Sequence, residues 1–351
     1  MTIAVFLPNW IGDAVMATPA LRALRDHYRG RTLVGVARPY VTGVLEGSDW
    51  FDQLVPGAPT LGGMFAVARR LRQLRAEVAV LFPNSVRSAL TAWLGGCRCR
   101  IGVAHDPFRR RLLTEVLEPT RDAAGRITPS PVIDDYNRVA VAAGCEAPGH
   151  RLELFTTPAD EAAAAAVWRC AGFGPGREVV CLNPGAAFGS AKHWPAEYFG
   201  QLARDLAVGR GSGVLVLCGP AEQGLARQIA AAARNRAVIA LSAAGMPPPS
   251  LGLTKAAVRR CDLLVTTDSG PRHFAAAFDR PVVTLFGPTH IAWTETYYPR
   301  AVHLQRRVDC GPCQRRVCPL DHRCMTQLLP GEVSLAAKKL LSGASTLRAG
   351  A

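Results

Sequence analysis

A polar turn between two apolar runs carries the first residues whose types could do chemistry. The run Leu263–Thr266 is apolar and β-rich, and Asp268, Ser269 and Gly270 follow it before a helical stretch. In a βαβ unit such a turn lies at the carboxyl end of a strand, where ligands bind. A carboxylate, a hydroxyl and a glycine that admits close backbone approach suit a phosphorylated ligand. The alternative is that Asp268 or Ser269 only caps the helix.

Two further polar groups follow apolar runs in the same half of the chain. The glycine-rich loop that contains Gly185 and Ala186 ends in Lys192, one of only 4 lysines among 41 basic residues. A lysine at this position can neutralise a diphosphate, or it can be an ordinary surface lysine. Glu222 follows the strand-like run Val214–Cys218. Its carboxylate can hold ribose hydroxyls, or it can simply favour the start of a helix.

Asp13 is the corresponding carboxylate near the start of the chain. It follows the predicted strand Ile3–Leu7 and precedes a helical stretch in which Pro19 predicts a kink or a late start. A carboxylate there can accept a proton from an attacking hydroxyl, and the alternative is a helix cap. The chain lacks the dinucleotide fingerprint, the P-loop and the common hydrolase and kinase motifs. It also lacks a D-x-D triplet, so no carboxylate clamp for a diphosphate-bound metal is evident.

The formal charge of +14 indicates an acidic partner without specifying which. Arg100 and the run of Arg109, Arg110 and Arg111 are the most concentrated basic groups of the first half. Guanidinium forks suit phosphate or carboxylate groups, and the alternative is a solvated face. Nucleic acid is the competing partner, but the basic runs lack the interleaved aromatic residues on which bases stack.

A cysteine-rich segment near the end of the chain follows the pattern C-x2-C-x4-C-x5-C. It consists of Cys310, Cys313, Cys318 and Cys324. The first pair has the spacing of zinc ligands, whereas the second pair is more widely spaced than usual. The segment is therefore compatible with a structural zinc site, with free thiols or with a disulfide, and a reducing compartment would disfavour the last.

Alternating strand and helix patterns predict an α/β protein built from two halves with parallel sheets. We expect domains at residues 1–155 and 156–330, with the cysteine-rich segment 310–324 in the second, and a C-terminal helix and tail at 331–351 that frays from Ser342. Thr157 and Pro158 predict a helix start at the beginning of the second half. Neither a signal peptide nor an apolar run of membrane-spanning length is evident, so we expect a cytoplasmic protein.

Four motifs in matching order resemble those of the ADP-heptose:lipopolysaccharide heptosyltransferases of glycosyltransferase family 9. They are NWIGDAVMATPALRALR, the Phe82–Ser85 turn, NPGAAFGSAKHWP and TDSGPRHFAAAFDRPVVTLFGPT. The resemblance runs from residue 1 to about residue 340. It implies a GT-B fold, in which two Rossmann-like domains with parallel sheets face a central cleft. The first domain would take the acceptor and the second the ADP-sugar.

The resemblance also implies roles for individual residues. Asp13 would be the general base and Lys192 a catalytic residue on the donor diphosphate. The donor-binding residues would be Gly185, Ala186, Lys192, Glu222, Asp268, Ser269, Gly270 and His273. The acceptor-binding residues would be Asn84, Ser85, Arg100, Arg109, Arg110 and Arg111. Arg272 departs from the family pattern, in which this position is apolar or small, and could alter the contact with the donor.

The function implied is an inverting, metal-independent transfer of heptose from ADP-heptose to the heptosyl-Kdo2-lipid A inner core of lipopolysaccharide. No cofactor would be required for transfer, and the cysteine-rich segment is compatible with a structural zinc by its spacing alone. The acceptor would be a phosphorylated lipid at the cytoplasmic face of the inner membrane, so the enzyme could be peripheral to that membrane. The alternatives are a family 9 enzyme with another nucleotide sugar or acceptor, a zinc-tail nucleic-acid binder and an inactive binding module.

Overall fold

The computed structural model describes residues 1–348, which form two compact units. The first unit comprises Met1–Phe155 together with Ala292–Tyr297, and the second comprises Thr156–Ile291 and the described chain from Tyr298 onward. The chain therefore passes to the second unit after Phe155, but it later returns a short piece to the first. Both units are α/β, as the sequence pattern predicts.

The first unit is built on a six-stranded parallel sheet in the order β3-β2-β1-β4-β5-β6. Its strands are β1 (Thr2–Phe6), β2 (Thr32–Ala37), β3 (Gln53–Pro56), β4 (Ala76–Leu81), β5 (Cys99–Val103) and β6 (Glu115–Leu117). Central β1 pairs with β2 on one side and β4 on the other, so that Ile3 lies opposite both Leu33 and Val78. Because helices cover both faces of such a sheet, its central strands are continuous apolar runs.

Seven helices connect these strands. They are α1 (Ile11–Met16), α2 (Thr18–His27), α3 (Pro39–Leu45), α4 (Leu61–Gln73), α5 (Val86–Leu94), α6 (Pro107–Leu112) and α7 (Val132–Ala142). The predicted first helix is broken at Ala17, so that Pro19 falls in the first turn of α2, where it needs no N–H partner. Five short elements of this unit, α3, β3, β5, α6 and β6, were not predicted, because each has too few residues to display a period.

The second unit repeats the same design, with strand order β12-β11-β10-β7-β8-β9. Its strands are β7 (Val179–Asn183), β8 (Gly213–Val216), β9 (Val238–Ala240), β10 (Leu263–Thr267), β11 (Val282–Phe286) and β12 (Ala301–Gln305). Every residue of β7, β10 and β11 is buried. Phe286 of β11 is fully buried, as are Phe199 and Phe274 on helices of the same unit, and each such side chain contributes about 1.5–3 kcal/mol by leaving water.

The helices of the second unit begin with α8 (Pro158–Cys170), whose start is the predicted one. Thr157 and Asp160 form a reciprocal capping box there. An N-cap side chain such as Thr157 stabilises a helix by about 1 kcal/mol. The others are α9 (Ala196–Arg210), α10 (Gln223–Ala233), α11 (Leu251–Arg260), α12 (Pro271–Ala277), α13 (Arg323–Thr326) and α14 (Pro330–Arg348). Helix α14 continues to Arg348, so the predicted fraying from Ser342 is wrong up to that residue, and 349–351 lie outside the described residues.

The returning segment Ala292–Tyr297 is anchored in the first unit by its last residue. The Tyr297 hydroxyl donates a hydrogen bond to Asp134 Oδ2 at 2.7 Å. The rings of Tyr297 and His150 lie 4.5 Å apart between centroids, and His150 Nε2 is 2.8 Å from the other oxygen of Asp134. A side chain from far along the sequence thus completes a polar cluster beside α7.

In each sheet the strand order reverses at one point near the centre, and α/β proteins bind ligands at such a point. Strand order reverses between β1 and β4 in the first unit and between β7 and β10 in the second. Ligands bind outside the carboxyl ends of the strands at such a switch point. Asp13 and Ser85 follow β1 and β4, whereas Lys192 and Asp268 follow β7 and β10. The predicted residues of each unit therefore lie at its switch point.

Candidate active site

A buried ion pair joins the two loops at the switch point of the second unit. Lys192 closes a single turn of 3-10 helix, Ser190–Lys192, and its Nζ donates to Asp268 Oδ2 at 2.5 Å and to the Asp268 carbonyl at 3.0 Å. The side chains of Lys192 and Asp268 are only 11% and 6% exposed. The pair brings together two predicted donor-site residues that are 76 positions apart.

Asp268 is held by more than the lysine. Arg272 Nη1 lies 3.4 Å from its second oxygen, and the Thr289 hydroxyl donates to Oδ2 at 2.6 Å. Burial alone would raise the pKa of Asp268, but the charges of Lys192 and Arg272 outweigh it and lower that pKa below its usual value. Asp268 is therefore ionised at neutral pH, and two cations surround one carboxylate, which favours a further anion at this edge of the sheet.

Arg272 is buried at 3% exposure, although it departs from the family pattern. Its guanidinium lies over the Phe286 ring at 5.0 Å from the centroid and 3.4 Å from His303 Nε2. Cations are attracted to the face of an aromatic ring, and the stacked guanidinium is thereby fixed beside Asp268. Arg272 thus stabilises the negative charge of the Asp268 carboxylate.

Hydrogen bonds between strand ends fix the rest of the turn. The Asn183 amide donates to Thr266 Oγ1 and to Ser269 Oγ, both at 2.9 Å. The Thr267 hydroxyl donates to the Gly185 carbonyl at 2.7 Å. These bonds lock the loop after β7 to the loop after β10, and Ser269 is used in that lock. Gly270 and Ala186 complete the same surface, half-buried and buried respectively.

Glu222 lies against the backbone of Gly185. Its Oε2 accepts a hydrogen bond from the Gly219 amide at 3.0 Å. A Cβ added at Gly185 would lie 2.2 Å from Glu222 Oε1, so only glycine permits this approach. The half-buried carboxylate is therefore fixed beside the glycine-rich loop, with lone pairs remaining for hydroxyl donors.

His273 is placed differently from the prediction of a ligand contact. Its side chain is 3% exposed, and burial together with the charge of Arg272 lowers its pKa well below the usual value. The imidazole is neutral and lies behind the turn. It can support the loop that carries Asp268, but a group buried to this degree presents little surface to a ligand.

Asp13 lies at the switch point of the first unit. It is half-buried in the first turn of α1, a helix whose N-cap is the extended residue Trp10. Its charge contributes, after burial, to the raised pKa of Tyr136, which is therefore a neutral hydroxyl close to this carboxylate. A carboxylate at a strand end with partial solvent access fits the requirements of a general base.

The predicted acceptor arginines do not form one surface. Arg109 is fully buried, and it donates to the Val103 carbonyl at 2.8 Å and to Ser88 Oγ at 2.9 Å. Burial lowers its pKa to about 10. Gly102 makes the room, because a Cβ there would lie 2.8 Å from the guanidinium. The assignment of Arg109 as an exposed acceptor ligand is therefore wrong: it is a structural tie between β5 and α5.

The other three arginines have different environments. Arg100 is half-buried and donates to the carbonyls of Cys97 and Leu112, so it too fixes the local backbone. Arg110 pairs with Glu118 on the surface, and Arg111 is exposed. Of the four, only Arg110 and Arg111 remain available to an acceptor.

Asn84 and Ser85 are exposed at the start of α5, where Ser85 Oγ accepts from the Ser88 amide at 3.2 Å. Ser85 also borders a cavity of about 480 Å³ at the carboxyl edge of the sheet. Two arginines that we did not predict, Arg38 and Arg87, line this cavity among mostly apolar side chains, and Arg38 Nε donates to Asn9 Oδ1 at 2.8 Å. Cavities of this size and lining hold small ligands.

The cysteine-rich segment gathers its four thiols around one small cavity, which Asp321 and His322 also line. Cys310 and Cys313 are exposed, Cys318 is half-buried and Cys324 is buried. Within residues 1–348, however, no three His, Cys, Asp or Glu side chains are placed so that they could hold a metal ion. The structure therefore adds no support to the zinc interpretation.

Two Rossmann-like units, each with a polar switch point, have the architecture of the GT-B class, and comparisons with known proteins show that this chain is a glycosyltransferase of that class. The E. coli ADP-heptose lps heptosyltransferase II structure superposes with a TM-score of 0.77 at 25% identity, covering 98% of this chain and 100% of that chain. Residues 64–323 match the family described as glycosyltransferase family 9 (heptosyltransferase), and the chain belongs to that family.

Curated relatives extend the similarity over the whole length. Lipooligosaccharide heptosyltransferase 2 of Campylobacter jejuni is 26% identical over 97% of this chain and 99% of its own. Lipopolysaccharide heptosyltransferase 2 of Salmonella typhimurium is 28% identical over 82% of this chain and 83% of its own. Similarity at this level covers both units rather than one shared domain.

Sequence reasoning missed Asn183 and Thr289, which form hydrogen bonds with residues at the end of β10 and in the loop after it. Asn183 is the last residue of a strand and precedes Pro184-Gly185, a position that could have been flagged as a polar strand end. Thr289 follows β11 and reaches Asp268 only through the fold, so the sequence carries no signal for it.

Proposed function

We propose that this enzyme transfers heptose from ADP-heptose to a heptose of the lipopolysaccharide inner core. The observation that carries the proposal is the buried Lys192–Asp268 pair at the switch point of the second unit, flanked by Glu222. The names of the relatives supply the sugar and the acceptor: they are heptosyltransferases 2 of lipooligosaccharide or lipopolysaccharide, and the E. coli enzyme is named for ADP-heptose.

The second unit would bind the donor. Lys192, oriented by Asp268, would lie against the diphosphate and stabilise the negative charge that develops on it as the sugar leaves. Glu222 would accept hydrogen bonds from the ribose hydroxyls, as carboxylates at the equivalent point do in other nucleotide-binding α/β folds. Gly185, Ala186 and Gly270 would let the nucleotide approach the backbone.

Asp13 would act as general base. A hydroxyl of the acceptor heptose attacks the anomeric carbon from the face opposite the diphosphate, its proton passes to the Asp13 carboxylate, and the bond between the anomeric carbon and the diphosphate oxygen breaks. Configuration at that carbon is therefore inverted. Lys192 and neighbouring donors take the place that a divalent cation has in enzymes with a carboxylate clamp, so transfer needs no metal.

The first unit would bind the acceptor in the cavity beside Ser85. Arg38 and Arg87 line this cavity, and guanidinium groups bind the phosphates and carboxylates of an anionic saccharide. Arg110 and Arg111 would contribute at longer range to attraction toward an anionic lipid surface. No described helix is both long enough and apolar enough to cross a bilayer. We place the reaction at the cytoplasmic face of the inner membrane, with no nucleic acid involved.

The test is transfer by the purified protein from ADP-heptose to heptosyl-Kdo2-lipid A, with and without a chelator. We expect an acceptor larger by one heptose, an equal rate in both samples and release of ADP. Transfer only from a different nucleotide sugar would refute the donor assignment. A requirement for added divalent metal would refute the metal-free mechanism.

A further inference from the structure

We propose that Arg316, a residue of the cysteine-rich segment, binds the diphosphate of the donor together with Lys192. The segment would then form part of the donor-binding site. The inference rests on the proposed function and deepens it, because it assigns a chemical task to a motif that the transfer mechanism leaves unused. It also explains why the segment lies where it does.

The segment is hydrogen-bonded directly to the loop that carries Lys192. The Ala191 amide donates to the Arg316 carbonyl at 3.0 Å, and His322 Nε2 donates to the Ala191 carbonyl at 2.7 Å. These two segments of the chain also approach closely at Gly189, whose φ is +153°. A Cβ there would lie 2.3 Å from the Arg316 carbonyl oxygen. Both backbone groups of the residue preceding Lys192 are therefore held by the cysteine-rich segment.

One aromatic ring contacts both cations. Lys192 Nζ lies 4.8 Å from the centroid of the Phe188 ring, and Arg316 Cζ lies 5.5 Å from the same centroid. Aromatic faces attract cations, so the Phe188 ring stabilises both charges, and each lies within about 6 Å of its centroid. Arg316 reaches this ring from the cysteine-rich segment, more than a hundred residues along the chain from Phe188.

Lys192 and Arg316 differ in whether a carboxylate already neutralises their charge. The Lys192 ammonium is paired with Asp268 at 2.5 Å. Arg316 is exposed, and within the described residues it forms no ion pair, so its charge and its planar fork are open to a ligand. A diphosphate carries more than one negative charge, and a guanidinium can bind two of its oxygens at once. Lys192 and Arg316 would then hold the diphosphate jointly.

The test is titration of ADP and of AMP into the wild-type protein and three variants, with calorimetric detection and no acceptor present. Arg316→Ala removes the fork, Arg316→Lys keeps the charge, and Arg315→Ala removes a neighbouring exposed arginine as the matched control. We expect Arg316→Ala to weaken ADP binding about 10-fold, the equivalent of roughly 1.4 kcal/mol, and to weaken AMP binding less. Arg316→Lys should restore part of the loss, and Arg315→Ala should bind both nucleotides as the wild type does.

The outcomes separate this inference from the proposed function. If the wild type binds ADP and Arg316→Ala binds it equally well, the inference is wrong and the proposed function stands. Equal losses in Arg316→Ala and Arg315→Ala would also overturn it, since they would reflect general surface charge. If the wild type binds neither nucleotide, the proposed function fails and the inference fails with it.

Discussion

Replacing Asp268 with asparagine should show how much the stability of the second unit depends on one buried carboxylate. In Asp268→Asn the side chain keeps its shape, but the buried Lys192 ammonium loses the carboxylate with which it is paired. Breaking a buried ion pair from one side costs about 3–5 kcal/mol. Since 1 kcal/mol lowers the Tm of a unit of this size by about 2–4 °C, we expect a fall of roughly 6–20 °C at pH 7.

Differential scanning calorimetry of the intact protein measures this change. Asp279→Asn is the matched control, because Asp279 belongs to the same unit and pairs with Arg300 on the surface, with its side chain 76% exposed. Exposed pairs contribute about 1 kcal/mol or less, so this variant should move the Tm little. An Asp268→Asn protein that melts within about 2 °C of the wild type would refute the argument from buried charge.

The stability contributed by Asp268 should depend on pH in a direction that its lowered pKa fixes. The pKa of Asp268 is lowered in the folded protein, so its contribution is fully present above the unfolded value of about 3.9 and is lost as pH falls through the folded pKa. The stability difference between wild type and Asp268→Asn should therefore be constant from about pH 5 to pH 7 and narrow only in more acidic solution. A difference that already disappears between those two pH values would contradict a lowered pKa.

Three further predictions concern the proposed base, the lysine and the arginine run. Asp13→Asn should lower kcat by roughly 10²–10⁴-fold while calorimetry finds ADP affinity unchanged, and near-full activity would reject the general base. Lys192→Ala should both weaken ADP binding and slow transfer, because one charge serves the ground state and the transition state; a loss in only one of them would contradict this. Arg109→Ala should lower the Tm by several degrees, because it removes the hydrogen bonds to the buried Val103 carbonyl and Ser88 Oγ and to the part-buried Ser85 carbonyl, whereas exposed Arg111→Ala should not, and equal Tm values would restore a surface role for Arg109.

The βα periodicity was enough to predict most of the architecture. Long apolar runs such as Val179–Leu182 and Leu263–Thr266 were predicted as strands, and they are the central strands of the second sheet. The Thr157 cap predicted the start of α8 to the residue. Such features depend on neighbours in the chain, and therefore a single sequence carries them. The GT-B class came from the family resemblance rather than from periodicity.

The contacts of the site depended on long-range geometry that no local pattern contains. Lys192 and Asp268 were each singled out from their loops, but their pairing follows from the adjacency of β7 and β10. The arginine run shows that residues adjacent in sequence need not share one environment. Successive helical residues point about 100° apart, so three arginines in a row cannot share one face, and α6 turns Arg109 inward.

The return of Ala292–Tyr297 to the first unit has a consequence for how the gene can be divided. A fragment that stops at Phe155 encodes the whole parallel sheet of that unit but omits Tyr297, the donor to Asp134 and the ring beside His150. Truncation at the apparent boundary therefore yields a half-protein with an uncovered polar edge. A separately expressed first unit would need those six residues grafted back through a linker.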